Sequence, residues 1–387
     1  MTAKKRTSLS FLSLPLSLFA HFVLVCSYSL CFAAAVNQPT GCLPLPSALK
    51  IDQSWGGTAV RFGAVESTSA IYIGYYDSYR WLAVSQIDKC TGQVKKIRLN
   101  SRFLGWDAHN YVTLALDKQG LVHLAGNMHV SPLVYARMAK PDDLESLTEL
   151  GSTTGASQDR TTYPRFFRLP DDALGFSYRY GQSGNGVEII ERFDGAAWKR
   201  LLDHPLFAPV DGQMPVNAYP TDYVMGPDGY FHVAWVWRVG LVETNFNVNY
   251  ARSKDLQHWE NSNGKALPLP ITPNNAELVD PVPQGQGLFN NIQLGFDGDA
   301  RPVISYLKFD DKGASQLFHA RRESDGWKIH QSTRWTYRWD PRGGGTIPSE
   351  ISFSGLVWRD GVLVERVTQP EAGSNVTLNY DPNTLAN

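Results

Sequence analysis

Four side chains in this sequence are of types that do acid–base chemistry on an anion: His109, His129, Tyr163 and Arg179. A neutral imidazole accepts a proton near neutral pH, and a tyrosine hydroxyl donates one. A guanidinium neutralises a carboxylate or another oxyanion through its planar fork of donors. Hairpin symmetry is what brings them together, because residues equidistant from a turn lie opposite each other at the hairpin's open end. His109 and His129 are symmetric about Gln119, Tyr163 and Arg179 about Asp171, and Tyr219 and Trp237 about Asp228, with Arg238 one residue further. Three consecutive hairpins therefore present polar or aromatic pairs at the same end. Taken singly, each residue also has a plain structural reading. A strand-end His or Tyr is commonly a satisfied framework residue, Arg179 could pair with a neighbouring carboxylate, and Tyr-Pro at 163–164 and 219–220 could be a packing repeat. Their coincidence at one end points to a shared site.

The elements that must position these residues are short strands. Tyr111 to Leu116 alternates, turns at Asp117-Lys118-Gln119-Gly120 and returns through Leu121 to Ala125, with further strands at Leu133–Arg137 and near Leu147. The same order recurs with turns at Pro170-Asp171-Asp172, Pro227-Asp228-Gly229 and Asp297-Gly298. The third-strand residues Arg137, Arg192, Arg252 and Arg321 are 55, 60 and 69 residues apart. Four strands per unit at this spacing predict an all-β, seven-bladed β-propeller of four-stranded antiparallel blades, with six blades as the alternative. Strands at 58–98 and 351–380 complete six countable units. A seventh would come from residues near the N-terminus or from the stretch between Trp259 and Asn290. A sandwich or parallel solenoid is the rival architecture. Ser253 to Trp259 reads as a degenerate Asp box, a structural turn, and His123 and His232 occupy matching framework places in their second strands.

The balance of 36 basic and 37 acidic residues, with no basic stripe, argues against a nucleic-acid binder. The 11 Trp, 33 Gly and 23 Pro argue against a helical bundle. Residues 1–35 read as a secretory signal, with Lys4, Lys5 and Arg6, an uncharged apolar run and Ala33-Ala34-Ala35 before Val36. Residues 36–387 are then a single catalytic domain, secreted or periplasmic, monomeric and without a membrane span. Cys42 and Cys90 remain after cleavage and are expected to pair. No G-x-S-x-G elbow, P-loop or G-x-G-x-x-G opening a helix is present, which disfavours serine-hydrolase and nucleotide chemistry.

A set of short motifs carries a family resemblance: Asp107-Ala108-His109-Asn110, Asn127-Met128-His129, Thr162-Tyr163-Pro164-Arg165, and Tyr178-Arg179-Tyr180-Gly181 followed by Ser183-Gly184-Asn185-Gly186. Asn217-Ala218-Tyr219, His232 to Arg238 and Tyr250-Ala251-Arg252-Ser253 extend it. Together they resemble the BNR-4 group of secreted propellers, which includes the ulvan lyases of polysaccharide lyase families 24 and 25. The likeness is strong over residues 100–270 and rests elsewhere on the repeat pattern.

That resemblance implies a lyase that cleaves a sulfated algal polysaccharide beside a uronic acid, with His109, Tyr163, Arg179 and His129 as catalytic residues. β-Elimination removes the C5 proton of the uronate and expels the O4-linked sugar. Arg179 would neutralise the carboxylate, His109 act as base, Tyr163 as acid and His129 assist, the base and acid labels being exchangeable. Asn110, Tyr219, Arg238 and Lys308 are candidates for substrate contacts. No cofactor is required for this chemistry. The resemblance also implies a structural metal ion, zinc or calcium, whose ligands are unknown. Two other readings stay open: a sialidase-like glycoside hydrolase, which needs a carboxylate pair or a Tyr–Glu couple, and a non-catalytic glycan-binding propeller.

Overall fold

The computed structural model describes residues 10–15, 42, 45–46 and 48–387. The expected signal peptide lies outside these, except for Ser10–Pro15, a strand paired antiparallel with Ala48–Ser54. Among the described residues the structure is all-β. Its helices are two single 3-10 turns, Leu144–Ser146 and Val242–Thr244, and no helix is long and apolar enough to cross a membrane. The chain divides into two compact units, one running to Gly181 and including Ile189–Leu201, the other comprising Gln182–Glu188 and Leu202–Asn387.

The first unit holds three four-stranded antiparallel sheets, each in chain order. The first sheet is Gly63–Glu66, Ala70–Tyr76, Trp81–Asp88 and Val94–Arg102. Every residue of Ala70–Tyr76 is buried, so the strand's period of two feeds two cores. Ala70, Tyr72 and Tyr76 pack with Val112, Leu114, Val122 and Leu124 of the next sheet, while Ile71, Ile73 and Tyr75 pack with Leu49 and Ile51. Burial of this completeness contributes about 1.5–3 kcal/mol for an aliphatic side chain. The expected disulfide forms between Cys42 and Cys90.

The second sheet is Val112–Leu116, Val122–Gly126, Tyr135–Arg137 and Thr148–Glu149. Its first hairpin pairs Val112 with Gly126 and Leu116 with Val122, a register centred on Gln119. Beneath it lies a buried polar chain. His123, fully inaccessible, donates from Nε2 to Asp117 at 3.1 Å and accepts the Tyr135 hydroxyl at Nδ1 at 2.8 Å; Trp198 Nε1 donates to that hydroxyl oxygen at 2.8 Å. Burial pushes His123 below the ordinary imidazole value, so it serves as a neutral strut. The third sheet is Thr161–Arg168, Leu174–Gln182, Asn185–Phe193 and Trp198–Arg200.

The second unit begins its fourth sheet with an interrupted strand, Asn217–Pro220 and Val224–Met225, set against Phe231–Arg238, with Asn245–Ser253 next. The edge of Asn245–Ser253 takes both Trp259–Glu260 and Glu277–Asp280. The stretch after Trp259, one expected source of a seventh blade, thus widens the fourth sheet. The His strut recurs here: His232 donates from Nε2 to Asp228 at 2.9 Å and accepts the Tyr250 hydroxyl at 2.6 Å. Gln293–Phe296, Pro302–Phe309, Ser315–Glu323 and Gly326–Gln331 form a further antiparallel meander. A last one sets Ser352–Phe353 and Val357–Arg359 together against Val362–Gln369, with Gly373–Tyr380 beyond, and joins the preceding meander through a single parallel pairing, Phe296 with Val357. Six meanders are present among the described residues, in the order the repeat predicts.

The Asp box is the structural turn the sequence implies. Ser253 Oγ accepts the Leu256 N–H at 2.8 Å and donates to the His258 carbonyl at 2.6 Å, while Asp255 accepts the Gln257 and His258 N–H groups at 2.8 Å. Trp259 is buried below and donates to the Leu256 carbonyl at 3.0 Å. Burial opposes ionisation of Asp255, but the His258 side chain and the turn's N–H groups overcome it, lowering its pKa from 3.8 to about 2. A depressed native value means the unfolded chain binds more protons in that window, so this contribution is intact above about pH 4 and lost as pH falls towards 2. Asp255→Asn is expected to flatten that part of the curve of melting temperature against pH; an unchanged curve would contradict the assignment.

Candidate active site

The site is built on one turn. Asp107 lies five residues ahead of Val112 and caps its own loop: its Oδ1 accepts the His109 N–H at 3.0 Å, and its carbonyl accepts the Asn110 backbone N–H at 3.2 Å and side-chain Nδ2 at 3.1 Å. The same carboxylate spans two imidazoles. Oδ1 takes His109 Nδ1 at 2.5 Å, and Oδ2 takes His129 Nδ1. The two rings stack with centroids 4.2 Å apart and planes 17° from parallel. An ionised carboxylate only accepts, so both Nδ1 atoms carry hydrogen, and in a neutral ring that leaves the Nε2 lone pair for another partner. Burial opposes the charge on Asp107, but the two histidine hydrogen bonds hold its carboxyl far below the usual range.

Tyr163 enters by a bulge. Near its turn the third sheet's hairpin pairs Phe166 with Phe176 and Arg165 with Ser177, the register centred on Asp171. Beyond Arg165 the register slips by one, so Arg179 faces Thr162 and not Tyr163. Tyr163 and Pro164 share the extra position. Proline has no N–H to lose there, and a bulge re-aims a side chain out of its strand's alternation. Tyr163 takes a left-handed φ of 60°, as do Asn127 (60°) and Val130 (53°) on either side of His129. Such conformations cost about 1–3 kcal/mol each and persist only when the surroundings over-determine them. Here the surroundings are Thr162 and Thr161. Thr162 Oγ1 accepts the Val130 N–H at 2.9 Å and Arg179 Nη2 at 3.1 Å, and the Thr161 N–H and hydroxyl both reach the Ser131 carbonyl at 2.8 Å. The Tyr163 ring lies 5.5 Å from the His109 ring, and the Arg179 guanidinium sits over it at 4.9 Å. Arg179 is buried, with 3% exposure, whereas both histidines and Tyr163 are half-buried.

Of the other residues singled out in the sequence, Asn110 is part of the Asp107 turn. Tyr219 and Arg238 form a separate buried cluster in the second unit. Arg238 lies 4.0 Å over the Tyr219 ring, donates to its hydroxyl at 2.9 Å and to Asn245 at 2.7 Å and Asn290 at 2.5 Å. In that hairpin too the register slips: Tyr219 faces Val236, and Asn217 faces Arg238. Ser183 joins the cluster by hydrogen bonds to Tyr219 (2.9 Å) and the Gly240 carbonyl (2.8 Å). Gly184 follows at φ 72°, where a Cβ would meet the Val239 carbonyl oxygen at 2.0 Å, so only glycine fits. Lys308 is ion-paired with Asp280 at 2.6 Å and stacked on Phe318 at 4.4 Å. Asp107 is the member that sequence reasoning missed. Its signal was its place two residues before His109, at N-terminal turn spacing.

Asp107, His109 and His129 are the one group of three metal-type donors among the described residues. A structural zinc is closed by four donors, usually with cysteine, and calcium takes six to eight oxygens. This half-exposed set of two nitrogens and one carboxylate, already hydrogen-bonded internally, fits neither as a structural site.

The model of the family described as BNR repeat-containing family members matches residues 70–335. The chain belongs to that family. No curated protein sequence matches it significantly. Among solved structures, this BNR-family chain is similar to the polysaccharide lyase Uly1, with 14% identity, TM-score 0.62 and 85% of this chain and 82% of that one covered. It is also similar to an ulvan lyase of polysaccharide lyase family 25 bound to -[GlcA(1-4)Rha3S]-, with 15% identity, TM-score 0.56 and 86% of each chain covered. At such identities the likeness is one of fold.

The strain at Val130 is directly testable. Val130→Gly removes a β-branched residue from a left-handed position, offsetting the usual loss from deleting a half-buried side chain. Its urea midpoint is expected to match or exceed that of the unaltered BNR-family chain; destabilisation by more than about 1 kcal/mol contradicts the strain.

Proposed function

We propose that this protein is a secreted polysaccharide lyase that cleaves the glycosidic bond to a uronic acid in a sulfated algal polysaccharide such as ulvan, leaving a 4,5-unsaturated uronate. The observation that carries the reading is the pair of imidazoles turned by one carboxylate beside Tyr163, with Arg179 behind it. Support comes from the fold shared with polysaccharide lyases, one of them bound to a uronate-containing sulfated saccharide. The disulfide suits an oxidising compartment. For the closed fold the reading is a seven-bladed propeller, since the chain beyond residue 35 suffices for seven blades at about fifty residues each.

In the reaction, His109 Nε2 takes the C5 proton, the electron pair forms the C4–C5 double bond, and the C4–O4 bond breaks. The Tyr163 hydroxyl gives its proton to the departing O4, so charge and atoms balance. Asp107 holds the imidazole in the tautomer that accepts and stabilises the imidazolium that results. Arg179 offsets the carboxylate charge from beneath Tyr163, where a low dielectric strengthens its effect. His129 assists from the same side as His109. Which of His109 and Tyr163 is base depends on the face of the sugar presented. Asn110, Tyr219, Arg238 and Lys308 remain proposed substrate contacts. A sialidase-like hydrolysis is less well supported, because the carboxylate in the cluster is committed to both Nδ1 atoms.

Incubation with ulvan is expected to release products whose unsaturated uronate absorbs in the ultraviolet. New reducing ends without that absorbance would point to hydrolysis, and binding without any product would point to a non-catalytic propeller. Asp107→Asn places an N–H donor against one imidazole and forces the wrong tautomer, so kcat is expected to fall roughly 10³–10⁴-fold with KM little changed. A kcat within about tenfold of the native value would remove Asp107 from the machinery.

A further inference from the structure

The segment that delivers Asp107 also displays an aromatic surface that the reaction does not use. Trp106 is 61% exposed, one residue ahead of Asp107, and Tyr79 is 65% exposed. A single exposed aromatic is ordinary, but a supported cluster of them with a cation marks a contact surface. Their placement is supported from below. Trp55 lies 5.5 Å from Trp106, and the bare Gly57 lets the two indoles close, since a Cβ there would meet both rings at 2.6–2.8 Å. The Thr58 hydroxyl donates to the Trp106 carbonyl at 3.3 Å.

The patch is also cationic. Arg80 sits over Trp55 at 4.5 Å and over Trp106 at 5.0 Å, and no ion pair or side-chain hydrogen bond engages its guanidinium among the described residues. Arg98 lies over the Tyr79 ring at 5.3 Å but is ion-paired with the buried Asp77, so the charge the patch offers is that of Arg80. A guanidinium stacked on aromatic rings keeps its edge N–H groups pointing outward, in the fork that matches sulfate or carboxylate oxygens. The patch is continuous with the site. Tyr76 donates to the Asn110 carbonyl at 2.6 Å, stacks on Phe103 at 5.0 Å, and Phe103 meets Trp55 edge-on at 4.9 Å. Three peptide units separate Trp106 from His109, so their Cα atoms are no more than about 11 Å apart.

We propose that Trp106, Tyr79 and Arg80 form a saccharide-binding platform that extends the active site: a pyranose ring stacks on Trp106 while Arg80 takes an anionic substituent of the same polysaccharide chain. This rests on the lyase reading for the identity of the polymer. It does not rest on it for binding, and the test separates the two.

Tryptophan fluorescence and calorimetry of the full chain, in a His109→Ala background that prevents turnover, would follow binding of ulvan oligosaccharides before and after chemical desulfation. The background is expected to show saturable quenching. Trp106→Ala is expected to lose the quench and bind at least about fivefold more weakly. Arg80→Gln is expected to weaken binding roughly tenfold, the size of one charge-assisted hydrogen bond. Loss confined to the sulfated ligand assigns the anion to sulfate, and equal loss for both ligands assigns it to the uronate carboxylate. Unchanged binding by both variants overturns the platform, as does a wild-type chain that binds neither ligand. A wild-type dimer that Trp106→Ala dissociates also overturns it, giving the patch to self-association. Quenching as expected with no unsaturated product from the wild type leaves the platform standing and removes the lyase reading alone.

Discussion

The Asp107 carboxylate is shared by two imidazoles, and the rest of the site follows from that sharing. For both oxygens to be used, His109 and His129 must arrive side by side with their Nδ1 atoms on the same edge. That requires the hairpin of Val112–Leu116 and Val122–Gly126 to keep one register along its length, since a slip of one residue would turn His129 to the other face. The register is held by the turn after Asp117, and that turn is held by the buried Asp117–His123–Tyr135 chain. A neutral framework histidine at one end of the hairpin therefore underwrites two paired imidazoles at the other. The same strut in the fourth sheet, Asp228–His232–Tyr250, shows that the device belongs to the repeat, whereas the paired imidazoles belong to one place in it.

Rigidity is the second requirement. Left-handed backbone at Asn127, Val130 and Tyr163 concentrates strain on the two segments that carry His129 and the tyrosine. Loops under such strain relax unless tied down. Both threonines of Thr161-Thr162 reach across to Ser131 and Val130, stitching the two segments together. Strands buried on both faces supply an anchorage that does not yield. The cost of strain is accordingly spread through a core that has apolar burial to offset it.

The legible and illegible parts of this architecture divide along physical lines. The repeat and the first hairpin's register could be read directly, because alternation and the Asp-Lys-Gln-Gly turn leave one solution. In the next two hairpins the same counting placed Arg179 opposite Tyr163 and Trp237 opposite Tyr219, and each is off by one. Both errors occur beside a Tyr-Pro pair. Proline cannot donate to the ladder, so each strand bulges or breaks there, a shift visible only after pairing. Asp107 was passed over for a different reason. An aspartate in a turn is ordinarily a cap, and here it is one; its second role exists only once His129, 22 residues away, has been brought to it. The ion pair of Lys308 was not legible, because its partner Asp280 comes from the stretch after Trp259 that adds a strand to the fourth sheet.

On the proposed function, an aspartate at the centre of a site for a polyanion needs an electrostatic explanation. Asp107 stays ionised, and an unscreened carboxylate would repel both the proposed uronate and the negative charge that the proposed reaction develops at C5. Its oxygens, however, are each covered by an imidazole N–H, so its field is spent inside the turn on aligned donors. A full positive charge lies on the Tyr163 side in Arg179, buried under that ring, where solvent screens it little. Arg80 is its opposite in kind, stacked on indoles at the surface, where its planar edge can recognise an anion although water weakens the attraction. Near-zero net charge is therefore compatible with the proposed anionic polymer, because the sign and burial of a few groups decide the local field and the total does not.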